Sequence, residues 1–347
     1  PGWGRESNRW KTQFNGEFSA LLPDPRDPDG AVGVANATLY RTEDGGRTLT
    51  DSSAGFTGYA WGWFTCAVAY DAIDRAGGFA PGDGRVVLAT AGGYWNQVLV
   101  RSEDEGRTWT IVNPVAPHHL WLGLHPVRRE LAWSDSLRSE GGGRSFRRME
   151  GLPDRAALVG ACRARPDTPY AMNAARTELW RSDDAGGTWR LWSRPGWAFR
   201  KLDSKPTFAA CPENPDRVYS IDARGDLAVF DGSTWRSLGV LPLAGGVEEQ
   251  RNHVRAVAVD PRRPEILYAA CEAAGRPFVF CSADGGRTWQ DISANLPRIG
   301  AGGLSVHPLT GDVFLGGVTG TRLLPPPYPS PGSLWARLRP EGAISNN

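Results

Sequence analysis

Apolar residues in this chain come in short runs, and each run is closed by Pro, Gly or a small polar residue before the next begins. The clearest copy is Val257-Ala-Val-Asp-Pro-Arg-Arg-Pro-Glu-Ile-Leu-Tyr-Ala269, which reads as a strand, a turn and a second strand ending in small or aromatic residues. It aligns with Phe208-Ala-Ala-Cys-Pro-Glu-Asn-Pro-Asp-Arg-Val-Tyr219, Val159-Gly-Ala-Cys-Arg-Ala-Arg-Pro-Asp-Thr-Pro-Tyr170 and Leu122-Gly-Leu-His-Pro126. Leu304-Ser-Val-His-Pro308, Leu21-Leu-Pro-Asp-Pro25 and the longer Cys66-Ala-Val-Ala-Tyr-Asp71 complete a set of seven units. No segment keeps a helical apolar period, and Gly and Pro punctuate too often for long helices. The units start near Phe18, Phe64, Trp121, Ala157, Thr207, Val254 and Gly303. Their spacing, roughly 35 to 55 residues, is the period of propeller blades rather than of helical solenoids.

A second phrase follows the strands: Thr42-Glu-Asp-Gly-Gly-Arg-Thr-Leu49, Ser102-Glu-Asp-Glu-Gly-Arg-Thr-Trp109, Ser182-Asp-Asp-Ala-Gly-Gly-Thr-Trp189 and Ser282-Ala-Asp-Gly-Gly-Arg-Thr-Trp289. Asp44, Asp104, Asp184 and Asp284 can fold their carboxylates back onto nearby backbone N–H groups. The glycine that follows supplies the positive φ of a tight turn, and the closing Trp or Leu buries a large apolar surface. Ser139-Glu-Gly-Gly-Gly-Arg-Ser-Phe146, with Gly141 in place of the aspartate, and the shortened Asp231-Gly-Ser-Thr-Trp235 are worn copies. The phrase resembles the Asp box, or BNR repeat, of sialidase-like and xyloglucanase-like β-propellers.

The expected fold is therefore all-β, a seven-bladed propeller of four-stranded antiparallel blades in one domain spanning residues 1–347. Residues 1–17 are a candidate closing strand, through Arg9-Trp-Lys-Thr-Gln-Phe14, although the last unit already reads as four strands ending in Ser333-Leu-Trp-Ala-Arg-Leu338. Ring closure by a terminus removes exposed edges.

A formal net charge of +1 gives no global basic field, which argues against a nucleic-acid partner. No stretch is long enough to cross a bilayer, and no signal peptide is visible at the start. Five cysteines cannot all pair. Cys271 and Cys281 flank a hairpin and are either a cross-strand disulfide or small core residues. Cys162 and Cys211 occupy the turn position held elsewhere by Asp24, His125, Asp260 and His307. No paired-cysteine metal spacing is present, and neither a metal nor a cofactor is expected.

In the families that this phrase resembles, the boxes lie away from the ligand site, so the four aspartates are read as structural. The other face is rich in aromatic residues with polar groups between them, a composition suited to stacking on sugar rings. Its candidate ligand-binding residues are Trp61, Tyr94, Trp95, Asn96, His119, Trp197, Arg200 and Arg251. Sialidases carry a Phe/Tyr-Arg-Ile-Pro phrase ahead of the first box. It is absent here, and Arg26 sits in a turn, Asp-Pro-Arg-Asp-Pro. A xyloglucanase-type glycoside hydrolase also combines boxes with the Val-x-Asp-Pro turn, but it resembles two propellers around a cleft. Hydrolysis would require two carboxylates across the scissile bond, and the candidates are Asp203 with Glu248 or Glu249. The leading expectation is a noncatalytic binding or structural propeller that recognises a glycan or a protein partner, at an extracellular or surface site or as a subunit of a larger assembly. A glycoside hydrolase acting on a polysaccharide is the alternative.

Overall fold

The computed structural model describes every residue except 1–10, 16–17, 25, 28, 36–37, 46, 53, 55–67, 71–85, 93–96, 117–120, 203–204, 240, 243–253, 272–278, 294–300, 309, 318–333 and 339–347. Among the described residues all regular structure is strand, and seven antiparallel sheets hold four strands each. From first to seventh sheet, the innermost strands are Phe18–Pro23, Val68–Tyr70, Leu122–Leu124, Ala157–Ala161, Phe208–Ala210, Val254–Asp260 and Ala301–Val306. The outermost are Thr50–Asp51, Thr110–Ala116, Arg147–Arg148, Arg190–Ser193, Trp235–Ser237, Gln290–Asp291 and Lys11–Asn15. A further hairpin, Lys201–Leu202 with Lys205–Pro206, stands between the fourth and fifth sheets.

The seventh sheet closes the ring. Lys11–Asn15 pairs antiparallel with Leu334–Leu338, Lys11 opposite Arg337 and Asn15 opposite Leu334. The last unit thus supplies three strands and not the four read from the sequence, because the N-terminal strand takes the outer place. The innermost strand of the seventh sheet packs against those of both the first and the sixth. This arrangement is an all-β propeller.

Its core lies between sheets. One cluster joins Val32 and Leu39 of the first sheet to Val98, Val100 and Trp109 of the second, and another joins Leu88 and Leu99 to Leu122 and Ala132. Trp133 and Met149 meet Leu158 and Ala171 across the next junction, and Tyr170 and Leu179 meet Val218 and Phe230 across the one after. The largest cluster runs from Tyr219 through Tyr268 and Phe280 to Val313 and Leu315. A blade has two apolar faces and covers neither by itself, so each sheet is stable only between its neighbours.

Cys281 lies opposite Tyr268 across its strand pair, which puts it three positions out of register with Cys271. Both are free thiols, as are Cys162 and Cys211. Burial pushes Cys271 and Cys281 up to about 12, which keeps them protonated.

Candidate functional site

The antiparallel order gives the ring two unlike faces. In each sheet the first turn and the last turn emerge at one end, while the middle hairpin and the connection to the next sheet emerge at the other. The repeated Ser-x-Asp-x-Gly-x-Thr-Trp turns all fall at the first of these ends.

There the aspartates are fully engaged. Asp104 Oδ1 accepts from the Ser102 hydroxyl at 2.7 Å and from Thr108 N–H at 2.8 Å, and Oδ2 accepts from the Thr108 hydroxyl at 2.6 Å. Asp184 and Asp284 repeat this set with their own serines and threonines. Asp44 does so with Thr42 and Thr48. Hydrogen bonds from Thr288 hold Asp284 down to about 2, and those from Thr48 do the same for Asp44. The turn needs two left-handed residues in a row, and Glu105 with Gly106, at φ 63° and 84°, supplies one such pair.

The arginine ahead of the phrase fastens one sheet to the next. Arg41 Nη1 donates to the Glu105 carbonyl at 2.9 Å, Arg101 Nε to that of Gly142 at 2.7 Å, and Arg181 Nη1 to that of Pro215 at 3.2 Å. In the third sheet Trp133 takes this role, donating Nε1–H to the Ala185 carbonyl at 3.0 Å. Nearer the axis, His125 Nδ1 accepts the N–H of Arg128 at 2.9 Å, so its Nε2 carries the proton toward Asp167, 3.0 Å away. Burial lowers the pKa of His125 against the pull of Asp167. His307, Asp24 and Asp260 cap the equivalent turns through Thr310, Arg26 and Arg262. Cys162 donates its thiol to the Cys211 carbonyl at 3.4 Å. Each of these groups is occupied in holding the ring.

The other face carries the remaining candidates. Trp197 is half-buried, its ring edge-on to Phe199 at 5.0 Å and to Trp235 at 5.1 Å. Phe199 bridges to Asp222, and the next N–H, that of Arg200, donates to the Ile221 carbonyl at 2.9 Å. These backbone ties fix Arg200 beside the innermost strand of the sixth sheet, where Arg255 is the second residue. Burial and the Arg255 guanidinium together lower the pKa of Arg200. Two cations thus gather at the end of the ring away from the repeat turns, while the Trp197 indole packs against Trp235, the closing residue of a worn phrase. Trp121, just ahead of the third sheet, covers Gly123, where an added Cβ would come within 2.4 Å of its ring.

Of the residues singled out from the sequence, Trp197 and Arg200 lie among the described residues, Trp197 against Phe199 and Trp235 and Arg200 beside Arg255 and Asp222. Trp61, Tyr94, Trp95, Asn96, His119, Asp203, Glu248, Glu249 and Arg251 lie outside the described residues. Sequence reading passed over Arg255, although a charge in the run Val254-Arg-Ala-Val-Ala-Val259, otherwise entirely apolar, is a legible signal. Among the described residues no cluster of His, Cys, Asp or Glu could hold a metal ion, and no helix is long and apolar enough to cross a membrane.

No family model and no curated protein matches the chain. Among solved structures, the GH74 xyloglucanase from Xanthomonas campestris is similar over 98% of this chain and 54% of its own, with 18% identity and a TM-score of 0.68. The chain therefore spans about half the length of that enzyme. YCF48 bound to D1 peptide matches 95% of this chain and 96% of its own, at 15% identity and a TM-score of 0.62. The β-propeller domain of Cps50 (Swd1) from Myceliophteria thermophila matches 94% and 98%, at 12% identity and a TM-score of 0.61. At such identities the likeness shows a common β-propeller fold.

Proposed function

We propose that this chain is a noncatalytic binding propeller, seven-bladed and fastened by Asp-box turns, which takes a glycan or protein partner on the face opposite those turns. The observation that carries the reading is the convergence of Arg200 and Arg255 at the end of the ring away from the repeat turns. Two neighbouring guanidiniums repel each other; Asp222 offsets part of that repulsion at Arg200, and an added anionic group offsets more. The half-buried indole of Trp197, on the same segment as Arg200, offers an apolar plane for a sugar ring or an aliphatic stem. A uronate-bearing glycan or an acidic peptide has both features. The neighbours are compatible with a binding role, since one of them is a structure of YCF48 bound to a peptide.

A second reading, glycoside hydrolysis of a polysaccharide, draws on the likeness to the xyloglucanase over 98% of this chain. It places the chemistry on Asp203 with Glu248 or Glu249. One set of measurements separates the two. Acidic and neutral polysaccharides are screened for retention and for release of reducing ends. The binding reading expects retention of an acidic ligand without turnover, weakened about tenfold in Arg200→Gln or Arg255→Gln. Release of reducing ends that is lost in Asp203→Asn or Glu249→Gln would establish the hydrolase instead. Retention of no ligand of either kind would sink the proposed site.

A further inference from the structure

Arg255 stands outside the regular ladder of its strand. Val254 pairs with Cys271 and Ala256 with Ala270, so Arg255 is the extra residue of a β-bulge. The innermost strands of the first and seventh sheets skip a pairing at the same second place, at Ser19 and Gly302, and of these three only the sixth sheet puts a charge there. A bulge breaks the alternation of a strand and re-aims the side chain that it carries. A binding group aimed in this way keeps its geometry only where neighbouring groups lock it.

The lock comes from the fifth sheet. The Thr207 hydroxyl donates to the Arg255 carbonyl at 3.1 Å, across the junction of the two sheets. Thr207 is held in turn, its carbonyl accepting the Ser220 hydroxyl at 2.7 Å, and both residues are buried. It is the residue just ahead of its innermost strand, and no other sheet has a hydroxyl at that place. One position beyond Ser220, the Ile221 carbonyl accepts the Arg200 N–H at 2.9 Å. Both cations are therefore tied to the strand Val218–Ile221, Arg200 directly and Arg255 through Thr207. Arg200 reaches the bulged end of the sixth sheet. Burial raises the pKa of Cys271, which lies opposite Val254, and the Arg200 guanidinium pulls it back down.

We propose that Thr207 is a positioning residue of the anion site, its hydroxyl fixing the bulge so that Arg255 stands beside Arg200. This rests on the reading of that pair as the ligand site, and it makes the spacing of the two cations a property of how the fifth and sixth sheets dock.

Two measurements on the full chain test it. The first needs no ligand and follows hydrogen exchange of the backbone from Val254 to Ala258. Thr207→Val keeps the shape and removes the donor, so exchange there should quicken about fivefold, whereas Thr207→Ser keeps the hydroxyl and should leave it unchanged. The second is calorimetric binding of trigalacturonate, a uronate oligosaccharide. Thr207→Val should weaken binding about fivefold and Thr207→Ser should restore it. In an Arg255→Gln background Thr207→Val should add no further loss, because the hydroxyl acts only through Arg255. Unchanged exchange at the bulge overturns the proposal. So does binding that falls in Arg255→Gln but not in Thr207→Val, a result that leaves the ligand site standing and makes Thr207 a structural fastening. A full further loss in the Arg255→Gln background would overturn it as well. If the parent binds no trigalacturonate and exchange still quickens in Thr207→Val, the uronate reading of the site fails and the hold of Thr207 on Arg255 is upheld.

Discussion

The turns at Ser102–Trp109 and Ser139–Phe146 occupy equivalent places in adjacent sheets, and one has lost half of its fastening. Both keep the serine half, with Ser102 Oγ accepting from Gly106 N–H at 2.8 Å and Ser139 Oγ from Gly143 N–H at 2.9 Å. Both keep the left-handed pair, Gly142 and Gly143 at φ 64° and 82° answering to Glu105 and Gly106 at 63° and 84°. Only the first has the aspartate and the threonine hydroxyl that it accepts. The Arg107 N–H donates to the Asp104 carbonyl at 3.3 Å and also to its Oδ1 at 3.1 Å, whereas the equivalent Arg144 N–H keeps the first bond, to the Gly141 carbonyl at 3.3 Å, and lacks the second. Backbone conformation, the serine half and the inter-sheet bond from Arg101 together suffice to form the turn, and the carboxylate adds strength to a shape that exists without it.

Removing that strength should have the largest effect. Asp104→Ala strips four hydrogen bonds from an ionised acceptor and is expected to cost about 1–3 kcal/mol, read as a lower midpoint in urea. An unchanged midpoint would mean that the serine half carries the turn alone. Next in size is Gly143→Ala in the worn turn, because φ is 82° and the new methyl would lie 2.9 Å from Leu88 of the second sheet. About 1–2 kcal/mol is expected from the left-handed conformation alone. Gly141→Ala, which meets nothing within 4 Å, is the matched control and should cost far less.

The contrast also explains what could be read in advance. The four full phrases and the Asp-Pro turns announce the repeat because each residue in them acts within its own turn, through bonds four residues or fewer apart. The closing strand was ambiguous since Lys11–Asn15 pairs with Leu334–Leu338, at the far end of the chain, and local sequence holds no record of that register. The Cys271 and Cys281 pair looked opposable by spacing, yet the register that sets Cys281 against Tyr268 separates them. At the ligand face, Trp197 and Arg200 stood out by composition. Arg255 did not, since its meeting with Arg200 depends on how two sheets adjoin. The worn turn was visible in sequence as Gly141 and Gly142 within a degraded phrase, but the Arg101 bond that fastens it across two sheets joins residues 41 positions apart and was not.

A smaller effect, of opposite sign, should follow from repairing the worn turn. Gly141 has no left-handed φ and a Cβ there meets nothing within 4 Å, so Gly141→Asp fits without displacement. Combined with Ser145→Thr, it restores the carboxylate and turns the serine hydroxyl already present into the threonine hydroxyl of the full phrase. A gain of about 0.5–1.5 kcal/mol is expected, the usual net value of one added hydrogen bond in a water-exposed turn. Gly141→Asp with Ser145→Val, which removes the hydroxyl, should recover only part of it. If the two combinations melt alike, the backbone N–H groups and not the threonine are what the carboxylate holds.

The smallest effect separates the two turns by pH. Thr288 donates its hydroxyl and its N–H to ionised Asp284, which lowers the carboxyl from its ordinary 3.8 to about 2 in the fold. A carboxyl whose pKa is depressed by folding contributes stability that is whole above about 3.8 and is lost as pH falls through about 2. The worn turn has no such group, so it contributes nothing to this acid dependence. Urea midpoints measured from pH 5 down to about pH 2 should therefore fall less steeply in Asp284→Asn than in the parent. In the repaired Gly141→Asp, Ser145→Thr chain they should fall more steeply, and the advantage at neutral pH should shrink toward zero at the acid end. If the repaired and parent chains instead kept a constant gap across this range, the new aspartate would be acting through its volume and not through its charge.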